Sequence, residues 1–225
     1  MVYQIKGEGL KVSSGYEIID FERPLVFQLL FRQEASIKFL RPDEVDWRAK
    51  RHSNPMTTGY PVDPNTVPRM ARWCRNRFDQ KLDVDLCCGT LLISKRVCDV
   101  IERFEPGVHQ FLPVDVYLSP YKIGDVPVTR SFFLVVGQVF DSVNAELTQD
   151  PRAVDTHPDG STSPGIWLFK GNSPVIFERE KISGRHLWID PNITPAERPF
   201  MSDLLGQELL SMELYGARFE HFDEV

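Results

Sequence analysis

Around residue 94 the apolar pattern of the chain changes period. Leu91-Leu92-Ile93 is a short run of strand type. Directly after Ser94, the residues Val97, Val100, Ile101 and Phe104 recur at i, i+3, i+4 and i+7, which places them on one stripe of a helix. Ser94 stands where a hydroxyl accepts from the free N–H groups of a first helical turn, and Ile93 and Cys98 occupy the positions of a hydrophobic staple across that turn. Pro106-Gly107 stops the helix, and Leu112, Val114, Val116 and Leu118 then alternate as a strand. A strand, a capped amphipathic helix and a return strand must lay the helix on a sheet, so the sequence predicts an α+β fold.

A second stretch has the same order. Ser202 precedes a stripe of Leu205, Leu209 and Met212, Gly216 stops it, and Ala217, Phe219 and His221 then alternate against Arg218, Glu220 and Phe222. Two Ser-capped helices are therefore expected, over about 94–105 and 203–215. A constant offset of 108 positions aligns Ile93 with Met201, Ser94 with Ser202, Val97 with Leu205, Ile101 with Leu209, Phe111 with Phe219 and Val114 with Phe222. A duplication would produce this, and so would any two capped helices that run into strands; the sequence leaves both open.

The rest of the chain is mostly strand and turn. Tyr16–Asp20 and Pro24–Phe31 are short apolar runs. Pro55, Pro61, Pro64 and Pro68 forbid continuous helix or central strand between Arg51 and Pro68, and this Pro-rich loop separates an N-terminal β-rich portion (1–80) from an α+β domain (81–225). Met70–Phe78 reads as a short helix carrying Arg72, Arg75 and Arg77. Phe132–Val136 is dense enough for a strand buried on both faces. Gln149–Pro164 is polar and rich in proline, an expected long exposed loop. Trp167–Phe169 and Val175–Phe177 follow as strands. The sheet is expected to be mixed or mainly antiparallel, with a few helices packed on it.

Composition narrows the class. A chain of 225 residues with 42% hydrophobic side chains supports a buried core and is unlike a disordered or collagenous chain. No apolar run approaches the roughly 20 residues of a membrane-spanning helix, and the first ten residues lack a signal-peptide pattern; a soluble cytoplasmic protein is the expectation. Cys74, Cys87, Cys88 and Cys98 form no CxxC pair, so free, buried thiols are expected. The net charge of −6 is uneven: Arg41–Lys81 carries +4 and Leu82–Val225 carries −10. Such an acidic body repels nucleic acid and anionic lipid and attracts basic proteins.

A search for chemistry finds little. His52, His109, His157, His186 and His221 show no metal-binding spacing, and the nucleophile-elbow and phosphate-loop motifs are absent. Asp79, Asp83 and Asp85 lack a calcium-loop pattern. Neither a metal nor a cofactor is expected. Cys87-Cys88-Gly89 comes nearest to a nucleophile, with His109 or His186 as its base if the fold unites them. Arg69, Arg72, Arg75 and Arg77 interleave with Trp73 and Phe78 in the manner of a small nucleic-acid patch, but the acidic body opposes phosphate binding.

The run Leu91–Ile101, followed by Phe104–Val114, resembles the core signature of a bacterial immunity-protein family, the eleventh class of polymorphic-toxin immunity proteins. Val139–Asp141, Ile182–Trp188, Phe200–Leu205 and Tyr215–Phe219 are also similar, and the resemblance spans about Leu82 to Phe222. It implies a cytoplasmic protein that binds and neutralises a cognate secreted toxin without catalysis, and it carries no catalytic residue to transfer. An acidic body suits a basic toxin. For contact, the residues singled out are Asp150, Asp155 and Asp159 of the polar loop and Trp167 as an aromatic anchor. The rival readings are a Cys87- or Cys88-dependent enzyme that reverses a toxin's modification, and a secretion-system adaptor that suppresses nothing.

Overall fold

The computed structural model describes residues 1–7, 16–19, 38–41, 43–44, 55–73, 80–87, 90–120, 122–144, 146–148, 153–156, 162–167, 175–194 and 198–225. Its strands are β1 (Val2–Gly7), β2 (Tyr16–Ile18), β3 (Met70–Trp73), β4 (Val84–Cys87), β5 (Thr90–Ser94), β6 (Gln110–Leu118), β7 (Thr129–Val135), β8 (Ala153–Thr156), β9 (Thr162–Trp167), β10 (Ile176–Phe177), β11 (Leu187–Trp188), β12 (Ile193–Thr194), β13 (Phe200–Ser202) and β14 (Ala217–Glu224). The helices are α1 (Lys95–Phe104), α2 (Arg179–Ile182) and α3 (Asp203–Ser211). Among the described residues the sheets run β2-β3-β6-β7-β5-β4, β10-β14-β1-β13-β11 and β12-β9-β8. Both larger sheets mix parallel and antiparallel pairs, so the α+β expectation holds.

The dense run Phe132–Val136 explains the layering. Leu134 and Val136 join a core that also holds Val97, Cys98, Val100 and Ile101 of α1, Leu205 and Leu209 of α3, and Tyr3 and Ile5 of β1. Phe133 and Val135 point the other way, into a core with Tyr16, Met56, Val62, Leu112, Val114 and Val116. The strand is buried on both faces although its partners β5 and β6 are both antiparallel to it; two cores, not parallel pairing, require the continuous apolar run. The five-stranded sheet is two-sided as well: Val2, Trp188, Phe200 and Phe177 form a third, aromatic core behind it.

The two capped helices occupy equivalent frames. In the first, β5 and β6 flank β7, with Ser131 opposite both Ser94 and Val114. In the second, β13 and β14 flank β1, with Val2 opposite both Ser202 and Phe222. The correspondence continues along the strands: Phe132 lies between Ile93 and Pro113, as Tyr3 lies between Met201 and His221. Every flanking residue in the second unit is 108 positions beyond its counterpart. Capped helices that merely look alike have no reason to share strand register, so the register decides for a repeated unit.

Four local expectations are corrected. Met70–Trp73 is the strand β3, parallel to β6, and not the start of a helix; Ala71 and Trp73 are buried in alternation with Met70 and Arg72, a period of two. The 149–164 loop contains β8 and the start of β9, paired from Ala153↔Gly165 to Thr156↔Thr162. Among the described residues β12 joins β9 at Ile166 and Trp167, and Pro164 has a ladder partner on the β8 side alone, as a proline in a strand allows. The helix expected to 215 ends at Ser211, where Glu213 takes a left-handed φ of 50° and reverses the chain a turn early. In β14, Phe219 packs on the first core and Phe222 on the aromatic core, on opposite faces of a strand that pairs with β1 without a break, while His221 is exposed and joins neither.

Candidate functional site

The capping serines differ in how their hydroxyls are used. Ser202 Oγ accepts from the Leu205 N–H at 3.3 Å, as expected of a cap. Ser94 has cap backbone geometry but no side-chain cap bond. Its hydroxyl donates instead to Asp83 Oδ1 at 2.7 Å, and the other Asp83 oxygen accepts from the Tyr215 N–H. A carboxylate is the stronger acceptor and orients the hydroxyl toward itself; the bond ties the start of α1 to the segment entering β14.

The densest polar cluster lies at the other end of α1. Glu105, the helix C-cap residue, is buried. Its Oε1 accepts from Gln138 Nε2 at 2.5 Å and the His186 N–H at 2.8 Å. Its Oε2 accepts from His109 Nε2 at 2.6 Å and the Leu187 N–H at 2.9 Å. Burial pushes this carboxyl up, but bonds from His109, His186 and Gln138 outweigh it and hold the group below the ordinary carboxylate range. His109 Nδ1 accepts from the Gly137 N–H at 3.1 Å, so the ring proton sits on Nε2 and faces Glu105. Both ring nitrogens are engaged and the side chain is fully enclosed. Such a histidine fastens three segments together and presents no lone pair to a substrate. Glu105 and His109 stand four apart, a signal present in the sequence that was passed over.

A second buried carboxylate serves the aromatic core. Asp190 accepts from the Ser142 N–H and hydroxyl, each at 2.7 Å, and from the Asn192 N–H at 2.8 Å. Trp188 Nε1 donates to the same Ser142 hydroxyl at 3.0 Å. Burial keeps the Asp190 carboxyl above its ordinary range despite those bonds.

The described thiols are enclosed. Cys87 is fully buried, with Sγ 3.7 Å from the Tyr16 carbonyl. Cys98 is buried, and desolvation pushes its thiol up to about 12. Cys74 and Cys88 lie outside the described residues. His186 is adjacent to Ser202, Nδ1 to Oγ at 2.8 Å, with its ring edge-on to Phe104, but that hydroxyl is held as the α3 cap. Among the described residues no cluster of three or more potential metal ligands occurs, and no helix is long and apolar enough to cross a membrane.

Of the proposed contact residues, Asp155 stands in β8 opposite Ser163, and Trp167 ends β9 opposite Thr194. Asp150 and Asp159 lie outside the described residues. Sequence reasoning missed the surface feature that the β6–β7 hairpin presents: Ile123 is 98% exposed and Val126 79% exposed at its tip. Beside the hairpin, Pro64, Val67, Pro68 and Leu112 line a groove of about 240 Å³, with Arg69, Asp115 and Arg130 among its walls.

Glu105 and Asp190 are buried carboxylates committed to internal donors, and His109 is enclosed, within an α+β fold. The model of the immunity protein family Imm11 matches residues 36–224, and the chain belongs to that family. The match begins well before Leu82, the start of the resemblance seen in the sequence, and so takes in β3, which is hydrogen-bonded to β6. A comparison with curated proteins finds no match.

Proposed function

We propose that this chain is the protective partner of a secreted toxin, neutralising it in the cytoplasm by binding and without a chemical step. The family match over residues 36–224 carries this reading. The geometry supports it: the buried Glu105–His109 pair has its hydrogen-bonding capacity turned inward, and Cys87 lies in the core. Blocking a toxin requires a complementary surface, and no acid, base or metal. Asp150, Asp155, Asp159 and Trp167 are proposed contacts. The excess of acidic residues beyond Leu82 would draw in a basic toxin, raising its association rate at low salt.

The test is co-expression with the toxin encoded beside this chain, read as survival, and co-purification of the two proteins. Protection together with a stable complex is expected. A complex without protection would point to an adaptor instead. Protection lost in the Cys87→Ala, Cys88→Ala double variant, with the complex retained, would point to thiol chemistry and overturn the binding mechanism. An association rate indifferent to salt would remove the electrostatic part alone.

A further inference from the structure

Each repeated unit has a residue at one equivalent station beside its cap serine. β4 pairs antiparallel with β5, Val84 opposite Ile93, and β11 pairs antiparallel with β13, Leu187 opposite Met201. One step further, the Ser94 N–H donates to the Asp83 carbonyl at 2.8 Å, and the Ser202 N–H donates to the His186 carbonyl at 3.0 Å. Ser94 stands 108 positions before Ser202, so Asp83 and His186 hold the same place in the two copies. Both side chains reach the cap hydroxyl of their own unit: Asp83 Oδ1 is 2.7 Å from Ser94 Oγ, and His186 Nδ1 is 2.8 Å from Ser202 Oγ. Both residues also reach the helix end of the other unit. The Tyr215 N–H, beyond α3, donates to Asp83 Oδ2, and the His186 N–H donates to Glu105 at the end of α1.

The hydrogen on each serine decides what its partner must be. Ser94 donates to a carboxylate, which only accepts when ionised. Ser202 Oγ accepts from the Leu205 N–H at 3.3 Å, and its own hydrogen needs an acceptor. A neutral His186 ring with its proton on Nε2 supplies one at Nδ1. The other tautomer points Nδ1–H at an oxygen that already accepts the Leu205 amide, and it leaves the hydroxyl hydrogen without an acceptor among the described residues. The second copy therefore asks a neutral imidazole to do what a carboxylate does in the first. An imidazole that takes a second proton has no acceptor left, and histidine is the side chain that changes charge between about pH 8 and pH 5.

We propose that His186 is a proton-operated latch on the N-terminus of α3. Neutral, it accepts from the cap serine and holds the first turn; protonated, it gives up that bond and sets a positive charge at the positive end of the helix. Charged groups surround it from each packed element. Glu105, at the end of α1, receives the His186 N–H, and its two oxygens are filled by four donors, His109 Nε2 among them. Arg103 of α1 lies over the Phe104 ring that meets His186 edge-on, and it is paired with Glu208 of α3. Arg185, beside His186, donates to Gln138, and Asp203 follows Ser202 in the first turn of α3. Glu105 and Asp203 favour a charged ring, while Arg103, Arg185 and the helix dipole oppose it. The lost acceptor decides the direction, because the Glu105 oxygens are occupied and leave the ring no bond in exchange for the serine.

The latch does not depend on a toxin and is tested on the full chain alone. Ring-nitrogen chemical shifts of His186 at about pH 8 should report the Nε2–H tautomer. Protection of the Leu205 amide against hydrogen exchange, corrected for the intrinsic rate, should fall roughly fivefold between about pH 8 and pH 5, the factor that corresponds to a typical N-cap. These two measurements need no variant. His186→Asp places the first copy's carboxylate at the same station and keeps His109; its Leu205 protection should stay constant within about twofold over that range. His186→Ala should show the weakened protection at both ends of the range. Wild-type protection that is constant or rises with acid, an Nδ1–H tautomer at about pH 8, or a pH dependence in His186→Asp equal to that of the wild type would overturn the latch.

Discussion

Replacing Glu105 by glutamine tests the idea that this carboxylate fastens the two repeated units together. The side chain accepts four hydrogen bonds, two at each oxygen. Glutamine keeps its volume but turns an NH2 group toward one pair of donors. Were that group to face His109 Nε2 and the Leu187 amide, the ring would have to change tautomer to accept, and that would break its bond from the Gly137 N–H. Two buried donors are left unsatisfied in either orientation, at about 1–3 kcal/mol each, partly offset because an amide is less costly to bury than a charge. A loss of about 3 kcal/mol is expected at pH 7. For a chain of this length that lowers Tm by about 6–12 °C.

The pH dependence supplies the refutation. The Glu105 carboxyl is held below its ordinary range in the folded protein. Its contribution is therefore complete above the unfolded value of about 4.3, and it fades as pH falls through the lower folded value. Glutamine has no such titration. The stability gap between wild type and Glu105→Gln, measured by urea unfolding at several pH values, should be widest near neutrality and narrow progressively as pH falls below the unfolded value. A gap under about 1 kcal/mol at pH 7, or one that widens with acid, would show that the four bonds do not act as described.

Two substitutions in the second unit should reverse the usual rules. Gly206→Ala on α3 would ordinarily gain about 1 kcal/mol of helix propensity, but a Cβ there would meet Tyr3 Cδ2 at 2.3 Å, and the Tyr3 hydroxyl is held by Gln207 Nε2 at 2.7 Å; a loss of about 1–3 kcal/mol is expected in urea unfolding, and a gain would refute the contact. Gln4→Leu removes a fully buried amide with no hydrogen-bond partner for either polar atom among the described residues; a gain of about 1–2 kcal/mol is expected, and a loss would reveal a partner.

What could be read from the residues was local. The strand–helix–strand units were visible because the apolar period changes at Ser94 and again at Ser202, and serine marks both changes. The use of the Ser94 hydroxyl was not visible, since its acceptor Asp83 lies on the segment before β4, eleven residues away. The middle strand of the second unit was hidden for the same kind of reason: Val2–Gly7 pairs with residues about two hundred positions distant, and no local pattern records that. In the 149–164 stretch, proline and glycine outweighed the β-branched Val154, Thr156 and Thr162 that form the pairing. The Leu118–Val128 turn did leave a signal, Ile123 and Val126 set among Pro120, Gly124 and Pro127. It went unread because apolar residues between two apolar strands look like core until the turn is seen to face outward.

The repeat turns differences between its copies into information about what each was free to change. Cys98 on α1 corresponds to Gly206 on α3, and Phe133 at the centre of β7 corresponds to Gln4 at the centre of β1, because each lies between equivalent flanking residues. In the first copy both positions are ordinary apolar core. In the second, glycine lets α3 sit against the Tyr3 ring, and an amide stands where the first copy has an aromatic ring. The second copy thus carries the packing compromises. In both copies the central strand is covered on both faces by apolar side chains, and the pairing of β6 with β7 from Gln110↔Val135 to Val116↔Thr129 has its counterpart in that of β1 with β14 from Val2↔Phe222 to Gly7↔Ala217.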